Sequence, residues 1–293
     1  MADKKNDKRS MGMLIASMAI WGSIGIFRRY IPLPSAVLAA SRGIIGSLFL
    51  ALFLKFRSRK IRAGMSGRHI AWFAVSGAIM AFNWILLFDA YNYTSVAIAT
   101  LCYYMMPVFV TLASAVLFRE KLTPGKLLCV AICLFGMLLV TGVVGGGLPA
   151  AGEANGILMG LGAAVLYACV VLMNKKMSGV DPFEKTIVQL LASSAALIPY
   201  LLLNTSLADI ELTGFSLAML LVVGVVHTGI AYALYFGCID GLRAQTVALF
   251  SYMDPIVAVL LSALLLGEPM TVPAIAGVVL VIGGAVASEL IHS

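Results

Sequence analysis

The chain has 293 residues, of which 61% are hydrophobic and 11% charged, with a mean hydropathy of +1.03 and a net charge of +7. A soluble domain is about half apolar and about a quarter charged, so a soluble enzyme, a disordered chain and a nucleic-acid-binding domain are excluded. The composition is that of an all-α integral membrane protein, and the basic excess calls for a membrane explanation, not a nucleic-acid partner.

Residues 1–10 form a polar tail with Lys4, Lys5, Lys8 and Arg9. Ten apolar runs follow, at about 11–27, 35–54, 69–91, 95–118, 124–143, 155–174, 182–203, 215–237, 244–266 and 272–290. A spanning helix takes roughly 20 apolar residues, so ten spans leave no room for a soluble domain. Run length and the lack of strict alternation exclude strands. In lipid a helix satisfies its own backbone polar groups. The first run follows basic residues as in a signal peptide, but no small-residue cleavage site follows and Arg28-Arg29 come next.

The boundaries carry their own chemistry. Pro32 and Pro34 break the chain before the second run. Thr123-Pro124 reads as an N-cap with proline at the first helical position. Gly145, Gly146, Gly147 and Pro149 fill the loop after the fifth run, and Asp181-Pro182-Phe183-Glu184 resembles a capping box. The five cysteines, Cys102, Cys129, Cys133, Cys169 and Cys238, lie inside apolar runs without metal or disulfide spacing.

The basic residues set the orientation. With the N-terminus in the cytoplasm, 17 of the 20 lysines and arginines fall in cytoplasmic segments, Arg28 and Arg29 lie outside, and Arg42 lies within the second run. That satisfies the positive-inside rule. An even number of spans returns the C-terminus to the cytoplasm, so both termini are expected there, in a chain of the cell membrane (the inner membrane of a two-membrane cell). Loop 55–68 is either a topology determinant or a site for anionic membrane lipid.

A repeat joins the two halves. CYYMMPVFVTLASAVLFREKLT ends at Thr123 and FSYMDPIVAVLLSALLLGEPMT ends at Thr271, and they align without a gap. Tyr104 falls on Tyr252, Met105 on Met253, Pro107 on Pro255, Ser114 on Ser262 and Glu120 on Glu268. Five spans per copy make the second copy inverted relative to the first, the arrangement typical of secondary transporters with a midplane site between the halves. The expected organisation is a tail at 1–10, a first five-helix repeat at 11–143, a connecting loop at 144–154 and a second repeat at 155–293. The fold class is thus ten transmembrane helices as two inverted-topology repeats.

Ile20-Trp21-Gly22-Ser23, Arg42 and both copies of Y-M-x-P…E-x-x-T resemble the drug/metabolite transporter superfamily, specifically its ten-span EamA-like members. The resemblance implies a basket of two inverted repeats, with spans 1, 3, 4, 6, 8 and 9 around a cavity and spans 2, 5, 7 and 10 outside. It implies transport of metabolites such as amino acids, nucleosides or sugars. The second repeat has Ala164-Val165-Leu166-Tyr167 where a second W-G motif would stand, so the repeats are asymmetric.

Ionisable residues inside a bilayer are functional candidates by default. Asp254 lies about 15 Å along its span at 1.5 Å per residue, before the helix-breaking Pro255. It is either a proton-coupling carboxyl or a polar residue bonded to a neighbouring helix. Its repeat partner is Met106, so the fold alone does not require an acid there. His227, also near the midplane, is either a substrate contact or a link between helices. Arg42 and Asp89 match in depth and are expected to form a buried charge pair, the alternative being an outer gate for charged substrate.

Trp21, Asn83, Trp84, Tyr104, His227, Tyr232 and Tyr252 are the candidate substrate-binding residues, through stacking, cation–π contact or amide hydrogen bonds. Small and polar stripes such as Thr100, Tyr103, Pro107 and Thr111 also suit plain helix packing. Glu120 and Glu268 are expected to cap the spans that begin after Thr123 and Thr271.

No metal motif, P-loop or nucleophile elbow is present, and no cofactor is expected. The reading is a secondary or facilitative transporter, an exporter of small metabolites such as amino acids, with a small-molecule substrate, surrounding membrane lipid and a proton as partners. The alternative is an intramembrane lipid-modifying enzyme.

Overall fold

The structure, a computed structural model, describes residues 2–56, 65–117, 123–141, 144, 150–177, 179–205, 210, 212–238, 242, 247 and 250–291. Glu120, the basic residues at 57–62 and Arg243 lie outside the described residues. The chain runs α1 Ala2–Tyr30, α2 Ser35–Phe56, α3 Gly67–Tyr93, α4 Val96–Tyr103, α5 Met106–Leu117, α6 Pro124–Val140, α7 Ala151–Lys176 and α8 Pro182–Asn204. It continues with α9 Gly214–Leu221, a π-helical segment Val222–Ile230, α10 Ala231–Cys238, α11 Met253–Leu265 and α12 Val272–Leu290. Among the described residues every regular element is helical. The polar tail from Ala2 continues into α1, with no proline to interrupt it.

Seven helical segments are long and apolar enough to cross a membrane: Lys8–Tyr30, Ser35–Phe56, Gly67–Tyr93, Val96–Leu117, Ala151–Lys176, Pro182–Asn204 and Gly214–Cys238. Pro124–Val140, Met253–Leu265 and Val272–Ser288 are shorter apolar helices. The caps follow the sequence. Ser95, Thr123 and Thr213 accept from the N–H three residues on, at 3.0, 3.3 and 3.1 Å, and Asp181 accepts from Phe183 at 2.9 Å. Each satisfies a donor the helix start leaves free.

Two segments break where the repeated prolines stand. The chain turns at Tyr104 and Met105 between α4 and α5, and at Tyr252 before α11. Pro107 and Pro255 have no N–H to offer the carbonyls of Tyr103 and Ser251 four residues back, so the ladder cannot run through.

The halves pack on each other in matching pairs. α1 lies against α10 and α11, and its counterpart α7 against α3, α4 and α5. α2 packs on the π-helical segment, and its counterpart α8 on α3. The counterparts α2 and α8, and α6 and α12, pack on one another, and α4 packs on α11.

The α6–α12 contact is nearly self-repeating. Cys133 Sγ donates to the carbonyl of Val281, 148 residues on, at 3.5 Å. A Cβ on Gly136 would meet Gly277, Leu280 and Val281, and one on Gly284 would meet Cys129, Ile132 and Cys133. Numbers rise along one helix as they fall along the other, so the pair is antiparallel. So is α2–α8: Ser194 Oγ donates to the Ala40 carbonyl at 2.9 Å, while Phe53 faces Phe183 at 6.0 Å further along. Glycine at these crossings lets the backbones approach, as packing in a membrane demands.

Candidate functional site

A cavity of about 220 Å³ lies between α1, α2, α3, α4, α7, α10 and α11. Both helix breaks open onto it: Tyr104 lines it from the first and Ser251 and Asp254 from the second. Breaking a helix frees backbone groups, which is tolerable at membrane depth only where protein or a wet cavity receives them. The Tyr104 hydroxyl donates to the Asp254 carboxyl. The approach of α1 to this turn depends on Gly22, where a Cβ would sit 2.5 Å from the Asp254 carbonyl oxygen and 2.8 Å from Val257 Cβ.

Aromatic rings form nearly half of the wall. Trp21 meets Tyr232 edge-on with centroids 5.1 Å apart and Tyr235 at 5.4 Å. Its indole N–H donates to the His227 carbonyl at 3.0 Å, which fixes the ring on the π-helical segment. Tyr103 and Tyr167 stack at 5.3 Å with planes 9° apart. Asn83 reaches the cavity from α3, and its amide nitrogen donates to the Ala163 carbonyl. The oxygen of that amide is buried and has no hydrogen-bond partner.

Of the residues singled out in the sequence, Trp21, Asn83, Trp84, Tyr104, Tyr232, Asp254 and Arg42 line the cavity. His227 and Tyr252 do not. His227 is 1% exposed; its Nε2 pairs with Ser23 Oγ at 3.0 Å and its ring packs edge-on against Phe27 at 4.7 Å. The π-helical segment that carries it advances by fewer degrees per residue than an α-helix, so the side chain turns towards α1. Tyr252 packs into an apolar cluster with Val259 and Val281.

The structure also does not bring Arg42 and Asp89 together. Arg42 Nε donates to Thr228 Oγ1 at 3.1 Å, and its guanidinium lies 4.1 Å over Trp84 and 5.5 Å from Phe88. Asp89 instead accepts from Ser35 Oγ at 2.6 Å, and Arg28 donates to the same Ser35 oxygen at 3.0 Å. Asp89, on α3, lies at the level of Ser35, a stretch of about 10 Å before Arg42 on α2 at 1.5 Å per residue, so the two depths do not match. Arg42 is also the one lining residue from α2, a helix the resemblance puts outside the cavity.

Glu268 corrects another expectation. It does not cap the helix after Thr271, whose own hydroxyl accepts from Ala274 N–H at 3.3 Å. It accepts from the backbone N–H of Val96 at 3.0 Å and of Ala97 at 3.4 Å, capping α4 in the other half.

The model of the EamA-like transporter family matches the chain twice, over residues 8–142 and 154–288. The chain belongs to the EamA-like transporter family. Several of its relatives carry transporter names. It is 29% identical over 271 residues to the "Uncharacterized transporter YxxF" of Bacillus subtilis, covering 92% of this chain and 86% of that one. "Protein RarD" of Salmonella typhi is 24% identical, covering 91% and 89%. A solved crystal structure with 21% identity superposes with a TM-score of 0.69 over 96% of both chains, and so shares the fold. This EamA-like chain is thus an integral membrane protein built as a transporter.

Four cavity tyrosines of this EamA-like chain escaped the sequence reading as ligand contacts: Tyr91, Tyr103, Tyr167 and Tyr235. A helix that is apolar all round gives no face to read, so one tyrosine among ten cannot be distinguished from the next. The signal that was available is the pairing of rows: Tyr103 neighbours the broken Y-M-x-P turn, and Tyr167 stands where the W-G motif stands in the first half.

Proposed function

We propose that this protein is a secondary transporter of small metabolites such as amino acids, working by alternating access in the cytoplasmic membrane. The observation that carries this reading is a cavity bounded by two helices broken at corresponding positions of the halves, with a carboxyl at one break. Short or interrupted helices in matching positions are the mark of a transport site. The ten apolar segments form two inverted five-span repeats, 11–143 and 155–293, joined by 144–154. The double family match and the antiparallel packing of α2 on α8 and α6 on α12 support that arrangement. Both termini face the cytoplasm by the basic asymmetry of the sequence.

Asp254 is the proton-coupling group. The Asp254 carboxyl and the Asn83 oxygen make up the accepting side of the cavity, which receives a proton in one state and a hydrogen-bond donor of the solute in another. An inward proton gradient then drives the solute out, so the net direction is export. Trp21, Asn83, Trp84, Tyr104 and Tyr232 contact the solute, and His227 acts by holding Trp21.

The enzyme reading has one observation in its favour, the hydrogen-bonded Ser23–His227 pair. Ser23 Oγ donates its own proton to the Ile20 carbonyl at 2.8 Å, so it accepts from the imidazole, the reverse of an activated nucleophile. Neither residue lines the cavity. The test is counterflow in liposomes holding the purified protein, with labelled amino acids outside and unlabelled ones inside. Transient accumulation supports transport; none for any solute tried across amino acids, nucleosides and sugars rejects it.

A further inference from the structure

Arg42 is 5% exposed, in a cavity wall at membrane depth. Such a charge is costly unless something offsets it. The protein does so only in part. The guanidinium lies on Trp84, and Nε donates to Thr228 Oγ1, whose own hydrogen goes to the Val223 carbonyl at 3.1 Å. Among the described residues no carboxylate lies within ion-pair distance of Arg42, and neither terminal nitrogen has a hydrogen-bond acceptor. Those two nitrogens are the prongs of the planar fork that matches a carboxylate.

Two other polar side chains of the lining, Asn83 and Asp254, present acceptors among the hydroxyls of the tyrosines, Thr100 and Ser251. The Asn83 side-chain oxygen is an acceptor with no donor, and its orientation is fixed because the amide nitrogen is held by Ala163. Asp254 is an acceptor served by Tyr104 alone among the described side chains. Tyr91 lies within electrostatic range of both Arg42 and Asp254, so the two poles share one chamber. The chamber therefore has a cation without an ion-pair partner and an amide oxygen without a donor. Both are repaired at once by a solute with a carboxylate at one end and a donor at the other.

We propose that Arg42 is the substrate anchor of this cavity, taking a carboxylate of the transported solute on its two terminal nitrogens while Asn83 Oδ1 accepts from the solute's donor. The proposal rests on the reading that this cavity is the transport site, and it narrows the solutes to carboxylates, against nucleosides, neutral sugars and simple amines. The stacked Trp84 holds the fork flat and Thr228 sets its tilt, so Thr228 and Trp84 are positioning residues. Lysine has the charge without the fork and does not replace arginine here.

The experiment measures the thermal stabilisation of the purified protein by leucine, methionine and phenylalanine, each beside its primary amide and its decarboxylated amine. The parent is expected to be stabilised by at least one acid and by none of the amides or amines at the same concentration. Arg42→Lys, which retains the charge and so the better chance of folding, is expected to bind that acid about 30-fold more weakly or worse, the loss of one charge-assisted hydrogen bond of the fork. Thr228→Val keeps the fork and is expected to bind it with an intermediate loss. Stabilisation by an amide or amine as strong as by its acid, undiminished acid binding by Arg42→Lys, or no response to any acid overturns the proposal. Counterflow separates it from the transport reading. Acid-specific, Arg42-dependent stabilisation without counterflow keeps the anchor and rejects transport. Counterflow of an amine or neutral solute keeps transport and rejects the anchor.

Discussion

Arg29 donates to the carboxylate of Glu268 at 3.3 Å, joining the C-terminal end of α1 to the α11–α12 connection 239 residues away. The same carboxylate caps α4 through Val96 and Ala97 and accepts from Ser262 Oγ, while Arg29 also donates to the Thr94 carbonyl at 3.0 Å. One acidic side chain thus ties together, at one end of the cavity, three of the helices that line it.

Glu268→Gln removes the ion pair and the charge at the α4 start. The cap and dipole terms predict a loss of about 1–2 kcal/mol in stability, read as a lower unfolding midpoint in detergent. It should also speed the labelling of Thr100→Cys by a maleimide added from the side that carries Arg29. A variant that melts and labels like the parent would mean that this contact does not hold the end closed.

Gly22 is where α1 touches the Asp254 turn. Gly22→Ala puts a methyl group 2.5 Å from the Asp254 carbonyl oxygen, backbone that cannot swing away. Overpacking of this kind costs about 1–3 kcal/mol, and the α1–α11 spacing must open. The expected result is a lower melting temperature with reduced counterflow. Gly12→Ala, which meets nothing within 4 Å, should leave both unchanged.

The orientation predicts opposite labelling of two exposed loop residues. Ser66→Cys should react with an impermeant maleimide only from the cytoplasmic side, and Leu212→Cys only from outside. Reaction of both from one side would break the inverted-repeat arrangement.

Much of this was legible in the sequence, and the rest was hidden for definite reasons. Pro255 announced the break before α11 because a proline has no N–H, while the matching break at Pro107 was not read although the Y-M-x-P repeat carries the same proline. Asp254, Trp21 and Trp84 could be picked out because carboxyls and tryptophans inside the apolar runs are few, and Tyr104 because it belongs to the repeated Y-M-x-P. Rotation about the helix axis was not legible. Arg42 and Asp89 were read as matching in depth, yet they meet Thr228 and Ser35, and Ser35 lies about two helical turns from Arg42 on α2. His227 was read as a midplane contact yet faces Ser23, since nothing in Val222–Ile230 signals a π-helix. Glu268 stands next to one helix and caps another, a partnership that only the packing of the halves creates.

The central claim is that the Asp254 carboxyl couples solute movement to protons. The most direct measurement is solute accumulation in liposomes under an imposed pH gradient, parent against Asp254→Asn. Asparagine keeps the size and accepts from Tyr104, but it cannot ionise. The account predicts that Asp254→Asn retains counterflow, which needs no net proton, and loses gradient-driven accumulation. Accumulation by Asp254→Asn with the parent's dependence on the gradient would contradict it.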